Sequence, residues 1–90
     1  MAAKQAEQEL EKSTKVGKDH HLVLYNDDVN TFGFVIESLI EICHHEREQA
    51  EQCSVIVHNN GRCSVKDGTV KDLRPMCKAL VQRGLTAEVE

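Results

Sequence analysis

Three oxygen-bearing side chains stand together in this chain: Asn26, Asp27 and Asp28. A short hydrophobic run, His21-Leu22-Val23-Leu24-Tyr25, precedes them, and Phe32 opens a second apolar segment after them. Residues of these types can serve local structure, because Asn and Asp favour turns and anions favour a helix N-terminus. They can also form a cation-binding mouth. Amide and carboxylate oxygens at the rim of an apolar wall suit a ligand that joins an ammonium group to an apolar side chain. Further along, His58 lies beside an apolar line at the end of an expected helix. Taken alone, such an imidazole reads as a surface or C-terminal helper.

The elements that would hold these groups follow from periodicity. A strand is expected from about His20 to Tyr25, where β-branched, aliphatic and aromatic residues run up to the Asn-Asp-Asp turn. A first helix is expected from about Asn30 to His44, with Asn30 and Thr31 as candidate N-caps. Its apolar residues are Phe32, Val35, Ile36, Leu39, Ile40 and Cys43, the core-facing stripe of an amphipathic helix. His44-His45 falls at its C-terminus, where a cationic imidazole favours the dipole. Adjacent helical positions point apart, so the pair is a poor metal site.

A second helix is expected from about Glu46 to His58. Ala50, Cys53 and Val57 form its apolar line, with Ser54 alongside and Val55 and Ile56 widening the buried face. Asn59-Asn60-Gly61 supplies the C-cap. A second strand is expected over Arg62–Lys66 and a turn at Asp67-Gly68. Thr69 can cap a third helix with the stripe Val70, Leu73, Cys77, Leu80 and Val81. Pro75 conflicts with that helix, so residues 69–73 are expected to form a separate turn, or the regular helix to begin near Leu73. After Gly84, Leu85, Ala87 and Val89 alternate with polar residues as a last strand. The order β-α-α-β-α-β points to an α+β sandwich: a three-stranded antiparallel sheet with three helices on one side.

Composition narrows the function classes. The chain has 90 residues and a formal charge of −4, and one domain accounts for it. Residues 1–18 carry four lysines and three glutamates with almost no apolar periodicity, and read as a flexible tail. Residues 19–90 form the core domain and hold a net charge of −5. That acidity argues against nucleic acid, whose phosphates need an excess of Lys and Arg. No long apolar run, lipidation signal or signal peptide is visible, so no membrane partner and a cytoplasmic location are expected. Cys43, Cys53, Cys63 and Cys77 lack the close spacing of a zinc or redox motif and read as buried reduced thiols. No metal or other cofactor is expected.

Asn26-Asp27-Asp28 after a hydrophobic strand, Phe34-Val35-Ile36 at the start of the first helix and Val57-His58 at the end of the second resemble the signature of the Clp protease adaptor family, ClpS. The resemblance covers about residues 20–90. It implies a non-enzymatic adaptor that binds proteins whose first residue is large and hydrophobic (an N-degron). The adaptor delivers them to a ClpA- or ClpC-type AAA+ unfoldase working with ClpP, and the tail enters the unfoldase. By the same resemblance, Asn26, Asp27 and His58 would receive the substrate α-amino group, with Asp28 on the acidic rim. The first side chain would enter a pocket of Phe32, Val35, Ser54, Val57 and Leu85, with Asn30 at its mouth. A monomer is expected.

Many relatives carry Tyr-Thr-Pro-Met where this chain has Val29-Asn30-Thr31-Phe32, and often Met where it has Ser54. One pocket wall therefore grows while another shrinks. Two rival readings are a non-enzymatic interaction module of ribosomal-stalk-like topology and a metal-dependent hydrolase built on Asp27, Asp28 and His58, with His44 or His45. The hydrolase reading lacks a recognisable ligand spacing and a clear nucleophile.

Overall fold

The computed structural model describes residues 20–90; the expected tail, residues 1–18, lies outside the described residues. Six elements follow in the expected order: β1 (His20–Tyr25), α1 (Phe32–Cys43), α2 (Arg47–Asn60), β2 (Arg62–Gly68), α3 (Val70–Gln82) and β3 (Thr86–Val89). The strands pair antiparallel in the order β2-β1-β3. β1 takes the centre because its middle is the most apolar: Leu22, Val23 and Leu24 are all buried.

Strand alternation divides the sheet into two faces. Leu22, Leu24, Val65 and Ala87 point to the helices and share one core with Leu39 and Cys43 of α1, Ala50 and Val57 of α2, and Leu73 and Leu80 of α3. Each fully buried Leu contributes about 1.5–3 kcal/mol of transfer free energy. The other face is mostly polar, with Val23 as its one buried apolar residue from β1. His21 Nδ1 lies 2.6 Å from Asp67 Oδ1, Ser64 donates to the same oxygen at 3.2 Å, and the Arg62 guanidinium sits 5.6 Å from the Tyr25 ring centre. The three helices thus cover one side of the sheet.

Helix ends follow their caps. Thr31, not Asn30, caps α1, its hydroxyl accepting the Phe34 N–H at 3.1 Å. His44 then closes the helix in the left-handed region at φ 61°. That turn swings His45 inward, off the helix end at which the sequence places it beside His44. His45 is 4% exposed, and its Nε2–H donates to the Val65 carbonyl at 2.7 Å. Gly61 ends α2 at φ 90°.

Other expectations also require correction. α3 runs unbroken through Pro75. Thr69 accepts the Asp72 N–H at 3.0 Å and starts the helix at Val70. The bond that Pro75 cannot make leaves the Lys71 carbonyl, on an exposed turn that water reaches. β2 continues through Asp67-Gly68 because these residues pair with His21 and His20. Val55, Ile56 and Val81 are exposed rather than buried. Ala50, Ser54 and Val57 already aim one face of α2 at the core, and Val55 and Ile56 lie around the helix on the face of Glu48 and Glu51. Phe32 is likewise 48% exposed, at the edge of the cavity described next. Among the thiols, Cys43 alone is fully buried, and Cys53, Cys63 and Cys77 are partly so.

Candidate functional site

The last residues of β1 and the turn after them meet α1, the end of α2 and the start of β3 around a cavity of about 310 Å³. All ten residues singled out in the sequence line it: Asn26, Asp27, Asp28 and Asn30 from the turn, Phe32 and Val35 from α1, Ser54, Val57 and His58 from α2, and Leu85 before β3. Leu24 and Tyr25 also line it. Sequence reasoning left those two as ordinary strand residues, although their position just before the acidic turn is the signal that places them there.

The cavity is graded from dry to wet. Leu24, Ser54, Val57 and Leu85 are buried, Val35 half-buried, and Asn26, Asp28, Phe32 and His58 exposed. The floor is therefore apolar and the mouth polar. Ser54 brings little polarity to the floor, since its hydroxyl donates to the Ala50 carbonyl at 2.8 Å. It presents a small wall. At the mouth, Phe32 and His58 form a tilted ring pair with centroids 5.4 Å apart.

Convergence of residues 26 and 58 rests on the sheet. The Asn26 N–H donates to the Gly61 carbonyl at 2.9 Å. This bond continues the β1–β2 pairing one step beyond Tyr25 and Arg62, and draws the acidic turn to the end of α2. Gly61 accepts this role because its left-handed backbone both stops the helix and redirects the chain into β2.

The polar groups differ in how far they are already committed. The side chains of Asn26, Asp28 and His58 line the cavity and make no hydrogen bond to another described residue. Asp27 is held. Its Oδ1 accepts the N–H groups of Val29 and Asn30, both at 2.9 Å, and the Asn30 side chain donates to Oδ1 and Oδ2 at 3.2 and 3.0 Å. Burial pushes the Asp27 carboxyl up, but the donors from Asn30 and Val29 outweigh it and hold the group below its ordinary value. Asp27 is thus a fixed anion at neutral pH. An ammonium group has three donors, and this mouth offers an amide oxygen, carboxylates and an imidazole nitrogen to receive them. Among the described residues, no three His, Cys, Asp or Glu side chains converge as a metal site.

The model of the family "ATP-dependent Clp protease adaptor protein ClpS" matches residues 15–88. The chain belongs to the ClpS family. Curated ClpS relatives include the ATP-dependent Clp protease adapter proteins of Campylobacter jejuni subsp. jejuni and Campylobacter jejuni subsp. doylei, each 46% identical over 44 residues. That stretch covers 49% of this chain and 46% of each relative, so the match spans about half the length of those ClpS proteins. A solved structure of Agrobacterium tumefaciens ClpS2 bound to L-phenylalaninamide superposes with a TM-score of 0.69. It covers 82% of this chain and 96% of that one at 18% identity, which establishes a shared ClpS fold. No helix among the described residues is long and apolar enough to cross a membrane.

Proposed function

We propose that this chain is a non-enzymatic adaptor that binds proteins by a free N-terminus with a bulky hydrophobic first residue. It passes them to a Clp AAA+ unfoldase of the ClpA or ClpC type, working with ClpP, for ATP-dependent proteolysis. The observation that carries this reading is the cavity of about 310 Å³ with an apolar floor and an acceptor-rich mouth. Its size is at the small end of ligand sites, roughly 300–1,000 Å³, and suits one side chain with its backbone stub rather than a folded surface. The L-phenylalaninamide on the Agrobacterium relative joins an amine to an aromatic side chain, which is the chemistry this cavity favours.

In this reading Asn26, Asp27 and His58 receive the α-amino group, and Asp28 adds negative potential at the rim. Phe32, Val35, Ser54, Val57 and Leu85 surround the first side chain, and Asn30 stands at the mouth. A terminal amine has a pKa of about 7.7–8.0 and is largely protonated at neutral pH. Charge-assisted hydrogen bonds contribute about 1.5–3 kcal/mol each, and burying a Leu or Phe side chain a similar amount. After ordering costs this corresponds to roughly micromolar binding. The protein acts as a cytoplasmic monomer and needs no cofactor.

Delivery is tested with a reporter protein beginning with Leu or Phe, incubated with ATP, ClpP and either ClpA or ClpC. Faster degradation on adding this chain, and no acceleration for the same reporter beginning with Ala, is the expected result. Equal rates with and without the chain for both unfoldases would contradict delivery.

A further inference from the structure

The acidic turn is tied to the body of the protein on two sides. On the α2 side the tie is the backbone bond from Asn26 to Gly61. On the β3 side it is one side chain. Asn30 Nδ2 donates to the Gly84 carbonyl at 3.0 Å while also donating to Asp27 Oδ2 at 3.0 Å and Oδ1 at 3.2 Å. Gly84 stands at φ 92°, where the chain leaves α3, and the next residue is Leu85, the buried wall of the cavity. A single amide group thus spans the acidic turn, the Asp27 carboxylate and the loop that carries Leu85.

This arrangement divides the labour at the mouth. Both protons of the Asn30 amide are committed to protein acceptors. Asp27 Oδ1 has three donors, whereas Oδ2 has only Asn30 among the described residues. Oδ2 therefore retains acceptor capacity for an incoming cation, in a direction that Asn30 fixes.

From this juxtaposition we infer that Asn30 is a positioning residue: it sets the orientation of Asp27 and the separation of the acidic turn from Gly84-Leu85, and acts on the ligand through them rather than by contact. This inference rests on the N-terminus-binding reading above. It explains why an amide suits the position. A carboxylate there would lose both donated bonds and set a second negative charge against Asp27. A ligand-contacting acceptor would behave in the opposite way, since a carboxylate would serve an ammonium at least as well as an amide oxygen.

The test compares wild type, Asn30→Ala and Asn30→Asp, each checked for folding by circular dichroism. Two quantities are measured: the Kd for a fluorescent Leu-starting peptide at pH 7, and the Asp27 carboxyl titration by NMR without peptide. Both variants are expected to bind about tenfold more weakly, the scale of weakening one charge-assisted hydrogen bond between a misplaced Asp27 and the ligand amine. The Asp27 midpoint is expected to rise in Asn30→Ala. Wild-type-like or tighter binding by Asn30→Asp would overturn the inference, as would an unmoved Asp27 titration in Asn30→Ala. Wild type that binds neither a Leu- nor a Phe-starting peptide would instead overturn the underlying reading, and the inference with it.

Discussion

The rings of Phe32 and His58 meet with centroids 5.4 Å apart and planes tilted by 58°. The first residue of α1 and the last turn of α2 are thereby joined across the cavity mouth. A tilted pair at this distance lies within the favourable range for ring–ring contact, so Phe32 limits where the imidazole can sit. Both side chains are exposed, and neither is needed to fill the core. His58→Ala is therefore expected to leave the denaturation midpoint nearly unchanged, within about 0.5 kcal/mol. It should weaken binding of a Leu-starting peptide about tenfold or more. Parallel denaturation and anisotropy titrations check this; equal losses of stability and affinity would assign His58 a structural role.

Asp27 gives the fold a pH dependence of defined sign. Its folded-state pKa is depressed by the Asn30 and Val29 donors acting against burial. Its stabilisation is then fully present above the ordinary carboxylate range and is lost as pH falls through the folded value. Asp27→Asn should be less stable than wild type at pH 7 by about 1 kcal/mol, the difference in scale between hydrogen bonds to a charged and to a neutral acceptor. The gap should close as wild-type Asp27 becomes protonated. Urea denaturation at pH 7 and in the acid range checks this. A gap that grows in acid would contradict the assignment.

An exposed helix position and a buried one should respond differently to substitution. Ile56 is exposed while Leu39, on α1, is fully buried. Ile56→Ser is expected to change stability by less than about 0.5 kcal/mol. Leu39→Ala should cost about 2–5 kcal/mol, enough to unfold a large fraction of so small a domain. Chemical denaturation of both variants checks the pair, and a large loss from Ile56→Ser would restore the broader buried face first read from the sequence.

Two thiols are expected to be poor nucleophiles. Burial pushes Cys43 up to about 11 against the opposing Lys66 ammonium. Cys53 is pushed up to about 12, by burial first and then by neighbouring Cys63 and Cys43. Since the thiolate is the reactive form, iodoacetamide at pH 7.5 should modify both far more slowly in the native protein than in urea. Peptide mass mapping over time checks this, and native-state labelling as fast as in urea would contradict the packing of α1 and α2 against the sheet.

Much of the architecture was legible because periodicity reports burial directly. The run Leu22–Leu24 and the spacing of Leu39 and Cys43 followed from which faces must leave water. What escaped depended on context. Pro75 is tolerated because the carbonyl it orphans is wet, and His45 turns inward because His44 takes a left-handed cap. Neither fact is encoded in a propensity. Val55 and Ile56 misled because an apolar residue does not say which side of its helix is covered. The cavity divides in the same way. The Asn26-Asp27-Asp28 turn was visible as a cluster of acceptors, but its approach to His58, 30 or more residues away, depends on the Asn26–Gly61 bond. From the residues alone that approach could not be read; the ClpS resemblance supplied it. Nor did sequence show that Asn30 reaches across to Gly84.

The central claim is recognition of a free, hydrophobic N-terminus, and the most direct measurement is the Kd of one Leu-starting peptide with its α-amino group free and acetylated. Acetylation removes the charge and two of the three donors, and leaves the mouth's acceptors facing an amide and a methyl group. Each buried group left unpaired costs about 1–3 kcal/mol. The expected result is roughly micromolar, saturable binding of the free peptide and no detectable binding of the acetylated one. Equal affinity for the two would contradict the account, since the apolar floor alone would then be responsible for binding.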